Sequence, residues 1–148
     1  MPVNFGALRN PRIGMVLVAA AGPAMNIGLA IVAALSFHLS VYLPVVGAQW
    51  AALNVKSALI INVVLAVFNL FPLPPLDGGR VAVGLLPNVL AKSLAGLEPY
   101  GMMILIGLLF VVPLLGSQLG VDLSFVSHLI AISTDAVIRT ILRLTGNI

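Results

Sequence analysis

The sequence predicts an all-α fold: a polytopic transmembrane helix bundle with a proline-broken helix and loop. Three observations carry this expectation. Hydrophobic residues make up 61% of the 148-residue chain and charged residues only 7%, against about 45–50% and about 25% in soluble domains. Too few charges are present to coat a soluble globule of this size. The apolar residues fall in runs of membrane-crossing length. Between two of these runs stand Pro72, Pro74 and Pro75, each without the backbone donor that a continuous helix needs. The same composition excludes a disordered chain, and the lack of cysteine excludes disulfide scaffolds, thiolate metal sites and cysteine nucleophiles. The net charge of +3 rests on scattered basic residues, so no nucleic-acid partner is expected. The expected surroundings are a lipid bilayer.

Residues 1–148 read as one membrane-embedded domain. Met1 to Arg12 is a short polar entry with Arg9 and Arg12. The first span, approximately 13–37, is uncharged and too long for the core of a signal peptide. His38 to Lys56 reads as a mixed loop, with Tyr42 and Trp50 suited to the headgroup region. The second span, approximately 57–72, is short and runs into the prolines. Val81 to Leu90 is too short to cross alone, so it continues the broken helix or lies near the interface. Lys92 to Pro99 reads as a loop, and the third span covers 100–119. In the last segment, 123–144, Val126, Leu129, Ile130, Val137, Ile141 and Leu144 recur at helical spacing. His128, Asp135, Arg139 and Arg143 form its polar stripe. It reads as a fourth span or as an interfacial amphipathic helix. Alternating crossings would place six of the seven basic residues on the cytoplasmic side, Lys56 being the exception. The expectation is a multi-pass integral membrane protein, in the plasma membrane if the source is prokaryotic.

The chemistry concentrates in NLFPLPPLDGGRV, Asn69 to Val81. A carboxylate at membrane depth is costly and persists where it pairs, binds a metal or faces water. Broken backbone at that depth is tolerated only where protein or a watery cavity satisfies it. Gly78 and Gly79 permit close approach of another backbone. Asp77 is thus expected on an irregular segment lining a polar pocket. The alternative is a Pro-Gly surface loop carrying a solvated Asp beside Arg80.

This stretch resembles the signature of the site-2 protease family, the intramembrane zinc metalloproteases. The pattern Asn-x-x-Pro-x-Pro-x-Leu-Asp-Gly-Gly is met at Asn69, Pro72, Pro74, Leu76, Asp77, Gly78 and Gly79. AAAGPAMN, with Gly22, Pro23 and Asn26, and VNFGALRNPRIGM also resemble family segments. The resemblance implies that Asp77 is a carboxylate ligand of a catalytic Zn²⁺. It implies that Asn69 serves catalysis, its amide hydrogen-bonding the substrate backbone or a developing oxyanion. The prolines would hold the segment open for an extended substrate. Protein substrates with membrane-spanning helices are implied as partners, and regulated intramembrane proteolysis as the activity.

The family's other two zinc ligands and its general base come from H-E-x-x-H, which this chain lacks. His38 and His128 have no neighbouring Glu, and Glu98 is the single glutamate. The ligand set is incomplete in this chain, which is expected to be inactive alone. The simplest expectation is the C-terminal part of a site-2 protease, completed by missing N-terminal helices or by another copy. The alternative is a catalytically inactive membrane homologue acting as a binding or regulatory partner. A small transporter would need a second copy of the proline-broken motif, and the sequence contains none. His38 reads as an interfacial residue, His128 as part of a polar helix face, and Asn26 as an interhelical hydrogen-bonder.

Overall fold

The computed structural model describes residues 11–148. Arg9, and the family-like segment from Val3 as far as Asn10, lie outside them. The helices are α1 Pro11–Ser36, α2 Val45–Asn69, α3 Asp77–Leu85, α4 Asn88–Gly96, α5 Gly101–Ile106, α6 Val112–Leu119 and α7 Phe125–Leu144. Short 3-10 turns cover Phe37–Tyr42 and Glu98–Tyr100, and a π-helical turn covers Gly107–Val111. No strand occurs among the described residues. Four stretches, Arg12–Tyr42, Val45–Asn69, Asn88–Leu119 and Phe125–Leu144, are long and apolar enough to cross a membrane. The all-α polytopic fold expected from composition is the fold observed.

The bundle centres on α1 and α2, with α7 packed against them. Ala30 and Ala34 of α1, Leu59 and Val63 of α2, and Ile141 of α7 form a buried cluster. The small residues on α1 let the helix backbones approach closely, as membrane helices need when lipid is as apolar as the core. Pro23 is fully buried inside α1.

Three elements differ from the sequence reading. Helix α2 begins at Val45, so most of the expected loop up to Lys56 is helical. Pro44 precedes the first turn and its carbonyl accepts the Ala48 N–H at 2.8 Å, while Ala48, Ala51 and Ala52 are strong helix formers. Most of the expected loop at Lys92–Pro99 is likewise helical, as the end of α4. The third run is not one regular α-helix. The Val112 N–H bonds back to the Gly107 carbonyl, an i to i+5 spacing. Pro113 has no N–H to give the Leu109 carbonyl, and the backbone widens just before it.

The largest departure concerns direction. Four alternating crossings would put the carboxyl ends of α1 and α7 on opposite sides. Instead they meet. The Asn147 amide donates to the Ala34 carbonyl at 3.1 Å, and His38 Nε2 lies 2.8 Å from the Thr145 carbonyl. Arg139 and Arg143 therefore lie toward the end of the bundle that holds Lys56, away from Arg12. The expected grouping of six basic residues on one side does not occur. Segment 88–119 accounts for the change. It starts beside Arg12, whose guanidinium bonds Asn88, and its Gly101 is then pressed against the Pro74–Pro75 backbone.

Candidate metal and substrate site

The expected motif spans the junction of α2 and α3. Asn69 is the last residue of α2 and Asp77 the first of α3, with the loop 70–76 between them. The loop is short of donors because of its three prolines. What remains is used locally: Leu73 N–H to the Phe71 carbonyl at 2.7 Å, and Leu76 N–H to the Leu73 carbonyl at 2.8 Å. Leu76 is extended and buried, and its carbonyl accepts the Gly79 N–H at 3.0 Å, opening α3.

The glycines then fold α3 back onto the loop. Gly78 is buried against the carbonyls of Leu70 and Phe71, and Gly79 against the Leu73–Pro74 peptide. Leu70 adjoins Asn69 and Gly78 adjoins Asp77, so this packing brings the two expected site residues to one junction. Gly101 sits on the Pro74–Pro75 backbone and closes the loop from the far side. Nothing in the residue pattern signals that last contact.

Helix α1 forms the facing wall. A methyl group added at Gly22 would lie 3.1 Å from Asp77 Oδ2, and one at Gly84 would collide with Val16. Helix α3 thus runs antiparallel to α1, with Asp77 level with Gly22, roughly 15 Å along the helix from Arg12. From sequence, Gly22 is only part of a family-like segment. The structure gives it a neighbour, the Asp77 carboxylate. Gly22→Ala is expected to crowd that oxygen and weaken zinc retention of a complete enzyme about tenfold, the scale of a disturbed ligand-supporting contact. The bundle should stay folded. Chelator competition measures the first effect and thermal unfolding in detergent the second.

Asp77 is half-buried, and among the described residues no hydrogen bond or ion pair engages its carboxylate. The half-buried Asn69 likewise makes no side-chain hydrogen bond there. Neither does Asn26, so its expected interhelical bond is not formed among the described residues. The other acidic residues are occupied. Glu98 lies 3.7 Å from Arg80, Asp122 3.7 Å from His128, and Asp135 2.8 Å from Arg139. The Asp122 carboxyl, exposed in the turn before α7, is held below the usual carboxylate range chiefly by the Ser124 backbone N–H it accepts at 2.9 Å. His38 stands just beyond the far end of α1 from Gly22, roughly 24 Å away along the helix direction.

The described residues hold no group of three or more His, Cys, Asp and Glu able to bind a metal. Asp77 fits a single zinc ligand, and these residues alone do not complete a zinc site. Beside the motif a cleft of about 240 Å³ opens between the proline loop, Met15 of α1, Val83 of α3 and Leu94 of α4, with Arg80 and Glu98 at its rim.

Comparison with known proteins converges on the same stretch. Residues 44–114 match peptidase family M50. A protein of Bacillus subtilis (strain 168) named as a zinc metalloprotease, YwhC, is 36% identical over 121 residues, covering 77% of this chain and 53% of that protein. The chain therefore spans about half the length of this relative. No solved structure matches it.

Proposed function

Since the chain belongs to peptidase family M50, the site-2 proteases, we propose that it forms part of an intramembrane zinc metalloprotease that cuts membrane-spanning protein substrates. In this reading Asp77 is one zinc ligand and Asn69 binds the substrate backbone. The two histidine ligands and the glutamate base are supplied from outside this 148-residue chain. The observation that carries it is the Asp77 carboxylate, without a partner among the described residues and held between Gly22 and a proline-glycine loop. A carboxylate left without a partner inside an apolar bundle is costly unless it meets a cation or water. The loop supports the substrate role as well, because Pro72, Pro74 and Pro75 keep the chain out of a helix beside Asn69.

The alternative, an inactive homologue that binds or regulates another membrane protein, is favoured by one observation: no three-ligand cluster exists among the described residues. Metal analysis separates the two. The 148-residue chain alone is expected to retain far less than one equivalent of zinc. The chain joined to an H-E-x-x-H helix, as encoded upstream or supplied in trans, is expected to retain one equivalent and to cleave a membrane-anchored reporter. No zinc in the joined form would overturn the protease reading. A full equivalent on the chain alone would overturn the ligand count.

A further inference from the structure

We propose that the cleft between α1, α2 and α7 holds an anionic phospholipid, with its phosphate paired to Lys56. The cleft has a volume of about 320 Å³, and its walls include Ala34, Phe37, Leu59, Ile138 and Leu142, with the exposed Lys56 among the lining residues. It lies where α1 and α7 end, beside the Asn147–Ala34 hydrogen bond. Both helices end at that level, where His38, Thr145 and Asn147 supply polar groups beside the apolar walls.

Charge selects the occupant. Three of the four acidic residues have basic partners elsewhere, and the fourth, Asp77, lies at the proline loop. Among the described residues neither Lys56 nor Arg143 has an ion pair, and Arg143 adjoins Leu142 of the cleft wall. An unneutralised ammonium flanked by apolar walls favours a ligand with an anionic head and an apolar tail. Inorganic phosphate lacks the tail, and a neutral lipid leaves the charge unmatched. A second copy packed two-fold across this face would set Lys56 near Lys56, a like-charge contact that opposes pairing.

The test uses the 148-residue chain in bilayer discs of equal parts palmitoyl-oleoyl phosphatidylglycerol and phosphatidylcholine, with retained lipid counted by native mass spectrometry. Phosphatidylglycerol is expected to be retained over phosphatidylcholine. Lys56→Gln should lower its retention about fivefold, the effect of roughly one basic residue at an anionic surface. Lys92→Gln, on the short helix α4, should leave it unchanged. Ile138→Trp should lower retention of both lipids by filling the cleft. Equal retention of the two lipids by the unaltered chain, or equal loss in the Lys56 and Lys92 variants, overturns the proposal. So does a lipid-free dimer that buries the cleft. None of these readouts depends on zinc or cleavage, so the proposal stands or falls apart from the protease reading.

Discussion

Asp77→Asn in the complete protein is expected to abolish zinc retention and to lower cleavage of membrane-spanning substrates by about a thousandfold or more, with the bundle still folded. The size of the effect follows from what a metal ion contributes to hydrolysis, several kcal/mol, at a factor of ten for each 1.4 kcal/mol. The preserved fold follows from the structure. Among the described residues the Asp77 carboxylate makes no hydrogen bond or ion pair, so the substitution breaks none. The new amide has the same shape and clears Gly22 as the carboxylate does. The one local loss is that of a negative charge in the first turn of α3, worth about 0.3–1 kcal/mol. Zinc content, cleavage of a reporter and the unfolding temperature in detergent should therefore separate: the first two fall and the third moves little. A variant that keeps its zinc and its activity would remove Asp77 from the ligand set. A variant that loses fold and activity together would show that the carboxylate has a structural partner outside the described residues.

The motif is legible in the sequence because its chemistry is local. Three prolines within four residues stop a helix wherever they occur, and a carboxylate next to two glycines after an apolar run is conspicuous. That the helix breaks there follows from those residues alone, but its limits do not. The residue pattern carries the second span to about 72 and puts Asp77 on an irregular segment, whereas α2 ends at Asn69 and Asp77 opens α3. The start of α2 is less legible for a physical reason. Gln49, Asn54 and Lys56 interrupt the apolar run, but a helix needs only backbone hydrogen bonds, and its polar end can reach beyond the hydrocarbon. The direction of α7 is not legible at all. It depends on the path of segment 88–119, whose first half is anchored by Gly101 docking on Pro74–Pro75 and by Arg12 bonding Asn88. Both are contacts between residues distant in sequence. The same holds for Gly22. Its role as the wall facing Asp77 exists only once α3 has folded back along α1, although the family-like segment containing it is visible from the residues alone.

Gly78→Ala is the substitution expected to damage the fold most, and it separates shape from chemistry at the site. A Cβ there would run into the carbonyls of Leu70 and Phe71. These are backbone atoms at the α2–α3 junction, so no flexible side chain can move aside. Relief requires opening the loop, which frees α3 from α2 and carries Asp77 away from Gly22. The expected cost is at or above the upper end of the ~1–3 kcal/mol typical of overpacking, and zinc retention should fall with it. Gly28 provides the contrast. It lies inside α1 with nothing within 4 Å of an added methyl group, and Gly28→Ala is expected to stabilise α1 by about 0.5–1 kcal/mol. Unfolding temperatures of the two variants, measured with zinc content, decide the matter. A marked fall for Gly78→Ala with a small rise for Gly28→Ala is the expected pair. If Gly78→Ala instead keeps the unfolding temperature and the zinc of the unaltered protein, the loop yields freely, and the close fit of the two glycines against the proline segment is not what places Asp77.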